Sequence, residues 1–202
     1  MKHKTKLLLV PVLALGVAVG TAGSAFAATE DATYQTTLEA LNGSGATGSY
    51  TVKLVGDEAT VTGEVSGLAE TFKDAPYPHV QHIHIAAQGV CPPAEADTNG
   101  DGVVDTPEGQ PFYGEIGTTL SLDGATDAST ATDLTVAPSG SSFTFERTFT
   151  MNAATIASLE AGTGVIVVHG LDPAGLSQAA QDAKSTLVPE LPLAATAPAL
   201  CG

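Results

Sequence analysis

Along most of the chain apolar and polar residues alternate with period two, and turn residues separate the segments, as in short strands with one buried face. Residues 34–41 end at Asn42-Gly43. Residues 49–55 place Tyr50, Val52 and Leu54 on one face and end at Gly56-Asp57, and residues 59–66 set Val61, Gly63 and Val65 against Thr60, Thr62 and Glu64. These three segments predict half-buried antiparallel strands. A Pro-rich stretch, Ala75-Pro76-Tyr77-Pro78, precedes a fourth strand over residues 80–87. A Gly- and Asp-rich insertion over 88–111 separates that strand from a fifth over 112–122. Residues 142–151 predict a sixth, with Phe143, Phe145, Phe149 and Met151 on one face. The run 164–168 is continuously apolar, as expected of a central strand covered on both sides. Residues 153–159 alone suggest a helix, of one turn or two. Short strands at this spacing predict an all-β fold, a β-sandwich or flattened barrel. The tail after Asp172 carries four prolines and is expected to wrap the surface, tethered by Cys201.

Residues 1–27 follow a different pattern. Lys2, Lys4 and Lys6 precede an apolar run over 7–19, and Ala25-Phe26-Ala27 is a small-x-small site; together these are the parts of a secretory signal. Cleavage after Ala27 leaves one domain, residues 28–202, in a secreted, extracellular protein. No transmembrane segment is expected, because no stretch reaches the roughly 20 apolar residues a spanning helix needs. The net charge of −15, with 22 acidic residues against seven basic ones, argues against a nucleic-acid ligand, which needs clustered Lys and Arg. It suits metal cations instead. Losing the three leader lysines makes the balance more acidic still. An apolar content of 43% points to a folded core rather than a disordered acidic chain. In an oxidising compartment the two cysteines, Cys91 and Cys201, tend to pair. A single disulfide is the simplest reading, closing a loop worth roughly 4 to 5 kcal/mol on chain entropy; two free buried thiols are the alternative.

Four histidines follow the leader: His79, His82, His84 and His169. In Val80-Gln81-His82-Ile83-His84-Ile85 the alternation puts His82 and His84 on one face, their Cα atoms roughly 7 Å apart. Metal–nitrogen bonds are about 2 Å long, so both rings can converge on one ion. His169 ends the most apolar strand and is a candidate third ligand. His79 has the opposite parity and follows Pro78; it either swings in as a fourth ligand or is solvated, and the parity favours solvation. The alternative for the set is surface imidazoles at strand ends, since polar residues on a solvated face are ordinary. Arg147 lies among Phe143, Phe145 and Phe149, where the simplest reading is a packed stem whose head reaches water.

The ordered set Val61-x-Gly63-x-Val65-x-Gly67-Leu68, His82-Ile83-His84, Gly89-x-Cys91, Val167-Val168-His169-Gly170-x-Asp172 and Leu200-Cys201-Gly202 resembles the pattern of the Cu/Zn superoxide dismutases. The first half is also similar to chordin-type CHRD domains, relatives of that fold. The likeness runs from about Ser49 to Cys201. It implies a Greek-key β-sandwich or flattened barrel, copper held by His82, His84 and His169, and a Cys91–Cys201 disulfide. Two parts of the family pattern are missing. Between Cys91 and Phe112, where the family's zinc-site histidines lie, there is no histidine, so zinc is not expected. Pro198 stands three residues before the last cysteine, where the family has a substrate-guiding arginine. The resemblance thus implies a copper-only protein that dismutates superoxide, and the CHRD likeness implies a non-enzymatic extracellular binding or structural module.

In the place of the zinc loop stands Asp97-Thr98-Asn99-Gly100-Asp101-Gly102-Val103-Val104-Asp105-Thr106-Pro107-Glu108. Asp97, Asn99, Asp101, Asp105 and Glu108 occupy the oxygen-bearing places of a twelve-residue EF-hand calcium loop. Gly102 takes the turn position, and Val103 supplies a backbone carbonyl. Hard oxygen donors suit calcium. Pro92-Pro93 before the loop excludes an incoming helix, so a lone calcium-clamped loop is expected; a solvated acidic turn is the alternative.

Overall fold

The computed structural model describes residues 31–202; the expected secretory leader and the expected cleavage after Ala27 lie outside the described residues. Tight turns join the first three alternating segments into a meander of β1 (Ala32–Ala40), β2 (Thr47–Val55) and β3 (Glu58–Ser66). The β2–β3 register runs without a slip from Thr47↔Ser66 to Val55↔Glu58, because the turn at Gly56 adopts a positive φ of 64° that glycine takes without a Cβ penalty. That register buries Tyr50, Val52, Leu54, Val61 and Val65 together and leaves Ser49, Lys53, Thr62 and Glu64 outside.

A small ladder of β4 (Thr71–Phe72) and β5 (Ala75–Pro76) leads into β6 (Gln81–Ile85). The insertion ends in α1 (Thr106–Tyr113), which passes through Gly114 into β7 (Glu115–Thr119). Next come β8 (Ser142–Thr150), α2 (Ala153–Glu160) and β9 (Val165–His169). Two short helices, α3 (Gln178–Asp182) and α4 (Leu193–Thr196), precede β10 (Pro198–Cys201).

The main sheet has eight strands in the order β7-β6-β9-β10-β1-β2-β3-β8, and all its pairs are antiparallel. Strand β1 belongs to both halves: Ala32 to Leu38 pair with β2, and Glu39 and Ala40 with β10. The sheet curls over itself, so Val52, Val61 and Phe145 of one half and Ile83, Ile166, Val168 and Leu200 of the other form one core. The protein is therefore all-β and sandwich-like. Across the gap between the two edge strands, the Asn152 amide donates to the Gly117 carbonyl at 2.7 Å.

The architecture departs from the sequence reading in two places. Phe112 and Tyr113 belong to a helix rather than to the fifth strand. Asp105 caps α1, its carboxylate accepting from the Glu108 amide while the Glu108 side chain accepts from the Asp105 amide, a capping box strong enough to start a helix despite Pro107 and Pro111. The tail runs over the surface only in part: Ala180, Leu193, Ala194 and Ala197 enter the main core, and Pro198–Cys201 lies fully buried between β1 and β9. Residues 153–160 form two helical turns.

A second, smaller cluster forms on the outer side of β6 and β9, where Tyr113, Val165, Val167 and Cys201 pack with half-buried Leu41 and Cys91. Cys91 and Cys201 are joined by a disulfide across 110 positions of sequence, which fastens the insertion to β10. The insertion therefore lies as a cover over that outer face, and the face carries the histidines.

Candidate metal centre

Alternation decides which way each histidine points. In β6, Ile83 enters the main core, so His82 and His84 face outward under the cover. In β9, Ile166 and Val168 face the core and Val165 and Val167 the cover, which puts His169 on the side of His82 and His84. Strand pairing supplies the rest, since β6 and β9 are neighbours with His82 opposite Val167. Ring centroids lie 5.1 Å apart for His82 and His169, 5.6 Å for His82 and His84, and 6.2 Å for His84 and His169. One nitrogen from each ring falls within 4.8 Å of the other two.

The three rings are 3%, 1% and 3% exposed for His82, His84 and His169, and each uses one nitrogen on a backbone carbonyl. His82 Nε2 bonds Ala131 O at 3.0 Å, His84 Nδ1 bonds Gly114 O at 2.9 Å, and His169 Nδ1 bonds Thr196 O at 2.7 Å. A carbonyl only accepts, so these contacts assign the ring protons: Nε2–H on His82 and Nδ1–H on His84 and His169. What remains is His82 Nδ1, His84 Nε2 and His169 Nε2, and these are the buried ring atoms without any hydrogen-bond partner. Buried polar atoms are nearly always paired, and three unpaired lone pairs aimed at one point are the donor set of a metal ion. Burial is the main cause that holds the imidazoles neutral: His82 well below its ordinary value, with His169 and His84 adding to the effect, His84 at about 3 and His169 at about 4. Neutral imidazole is the ligand form. The residues present fit a metal favouring nitrogen, such as copper, zinc, iron or nickel.

Backbone geometry at two glycines sets the surroundings. Gly114, at φ 99°, would place a Cβ only 1.8 Å from the Ile85 carbonyl oxygen, so no other residue lets its own carbonyl reach His84. Gly170, at φ 107°, would place one 2.5 Å from His79 Nδ1. Tyr113 packs edge-on against His84 with centroids 4.5 Å apart.

His79 is neither a fourth ligand in this arrangement nor solvated. It is fully buried, with Nδ1 3.0 Å from the His169 carbonyl oxygen and Nε2 3.0 Å from that of Ala69. Its odd parity turns it inward, against Tyr77 and Phe143. Burial, set against those two hydrogen bonds, lowers its pKa. Arg147 is half-buried, and its head bonds the chain that follows β7. Its Nη1 donates to Ser121 O at 2.7 Å and Ser121 Oγ at 2.6 Å, and its Nη2 to Gly124 O.

In the acidic loop, the side chains hold the loop's own backbone. Asp97 accepts from the amides of Gly100 and Gly102, Asn99 from Asp101, and Asp101 from Val103. Glu108 Oε1 accepts from the Thr98 amide and hydroxyl and the Asn99 amide, and Oε2 from the Asp105 amide. No helix enters the loop; a three-residue 3-10 turn, Ala94–Ala96, does. Among the described residues, the histidine trio is the group of three or more His, Cys, Asp or Glu side chains whose ligand atoms converge as a metal requires; the carboxylates of this loop do not gather in that way.

Pattern reading missed the groups that orient the trio, the carbonyls of Gly114, Ala131 and Thr196, because a backbone acceptor has no residue signature. It also missed Asn42, whose amide donates to the carbonyls of Val104 and Pro198 and accepts from the Val104 amide, tying the acidic loop to β10. Compared with protein-family models, curated proteins and solved structures, the chain matches none.

Proposed function

We propose that the chain is an exported, copper-binding relative of the Cu/Zn superoxide dismutases that dismutates superoxide at a copper-only site of His82, His84 and His169. One observation carries this reading: three shielded, partnerless ring nitrogens from β6 and β9 meet, each ring locked in the required tautomer by a carbonyl. The strand order supports the Greek-key part of the reading, since β8 lies beside β3 although the antiparallel pair β6–β7 separates them in sequence, as Greek-key connections do. A copper ion there supplies one-electron chemistry, the class to which superoxide dismutation belongs.

The chain's own residues set the terms. Neutral imidazoles give the ion no compensating negative charge, and the carbonyls fix their lone pairs. Burial of all three donor atoms restricts access, and a net charge of −15 repels an anionic substrate; turnover well below the diffusion limit follows. Copper titration of residues 28–202 with electron paramagnetic resonance is the test. One equivalent with a nitrogen-rich signal, lost in a His82→Ala/His84→Ala variant, is expected, followed by superoxide consumption by the loaded protein. Copper bound without consumption restricts the role to metal binding. No stoichiometric copper removes the reading in favour of a CHRD-like extracellular module.

The acidic loop, whose carboxylates hold its own backbone rather than converge, is the candidate for a second, chemically distinct cation site. Calcium suits the oxygens of Asp97, Asn99, Asp101, Asp105 and Glu108 and the Val103 carbonyl, and its binding requires Glu108 to exchange loop amides for the ion. Millimolar calcium is then expected to raise the melting temperature, and an unchanged melting curve would remove calcium from the account.

A further inference from the structure

Between β7 and β8 the chain crosses from one edge of the sheet to the other, and the middle of this crossing lies on His82. Residues 122–137 contribute no buried side chain. Their two 3-10 turns, Ala128–Thr130 and Leu134–Val136, are capped by their own aspartates, Asp127 and Asp133. With so little apolar burial the strap is held by polar contacts. Near β7 the Thr119 amide donates to Thr126 O and its hydroxyl to Asp127 O, both at 2.8 Å. From the opposite sheet edge, Arg147 of β8 donates twice to Ser121 and once to Gly124. At the centre, Ala131 O accepts from His82 Nε2.

His82 differs from its two partners in the nitrogen it offers. His84 and His169 present Nε2, whereas His82 presents Nδ1, and the contact that leaves Nδ1 free comes from the strap. We infer that Arg147 is a positioning residue for the histidine site: by pinning the strap it keeps the Ala131 carbonyl on His82 and the donor atoms covered, and so governs how fast metal enters and leaves. The metal-exchange part rests on the copper reading above; the pinning of strap and ring stands apart from it. Arg147 is one of only four basic residues after position 27, and its planar head presents its donors in a rigid fork, whereas a lysine offers a compact ammonium on a flexible stem.

Arg147→Met, which keeps an apolar stem, and Arg147→Lys in the full-length protein test this. In the metal-free proteins, amide exchange over residues 123–137 is expected to rise while β2 and β3 stay protected, and the His82 Nε2–H proton, sheltered in wild type, is expected to exchange with water. In proteins loaded with one equivalent of Cu(I), transfer to a chelator is expected to be on the order of 10-fold faster in Arg147→Met, the size typical of lost support around a ligand, with Arg147→Lys in between. Should Arg147→Met fail to fold, Arg147→Lys carries the test alone, with the same readouts expected to move in the same direction. Strap exchange and metal release indistinguishable from wild type would overturn the inference. Failure of wild type to bind copper would remove the metal site and leave the two metal-free readouts to decide the strap.

Discussion

A histidine ring has two nitrogens, and at each of His82, His84 and His169 one is used on a carbonyl and the other is left with nothing. In the metal-free protein this arrangement has a cost that depends on pH. His84 and His169 titrate at about 3 and about 4 when folded, against roughly 6.5 in the unfolded chain. Between pH 6.5 and 4 the unfolded chain therefore holds protons that the folded one does not. Stability falls as the pH drops through that window, by up to about 1.4 kcal/mol per pH unit for each such histidine. Denaturant unfolding of the metal-free protein at pH 7 and pH 5, above the range where most carboxylates titrate, is expected to show the loss, with a flatter profile for His82→Ala/His84→Ala. Equal stability at the two pH values would mean that the rings are not held neutral.

At the scale of elements, the strands carrying the site were legible although both of their faces are buried. The alternation in Gln81–Ile85 places two histidines together before any fold is known, and the apolar run at Val165–His169 marks a strand covered on both sides, as β9 is. Two elements were hidden. Helix α1 contains two prolines and a glycine, so composition masks it, and the signal that identifies it is the Asp105/Glu108 capping box, whose residues also satisfy a calcium-loop pattern. Strand β10 has four residues beginning with proline, too short for periodicity to register, and only its pairing partners make it central. Its weight in the core is testable: Leu200, fully buried in the main cluster, is expected to cost about 2 to 5 kcal/mol on truncation to alanine. Leu187→Ala, at a site 54% exposed, is expected to change stability by less than about 0.5 kcal/mol. Chemical denaturation compares the two, and a mild Leu200→Ala would show that β10 is dispensable.

For the whole molecule, the residues that gather at the candidate centre come from distant parts of the chain, and no local pattern announces their meeting. Histidines at 82, 84 and 169 are supported by carbonyls at 114, 131 and 196, and the cover is fastened by a disulfide from position 91 to 201. Sequence reading could name the three imidazoles, because histidines are rare here; it could not name their supports.

Strand β10 joins β9, which bears His169, to β1, which begins the other half of the sheet. A nascent chain threaded out from its amino end carries both histidine-bearing strands before residues 198–201 emerge. Until those residues arrive, the two halves lack the strand between them and Cys91 has no partner. Ribosomal truncation anywhere upstream of Pro198 therefore releases an unclosed sheet, and the cover over the centre cannot be fastened until residues 198–201 have emerged.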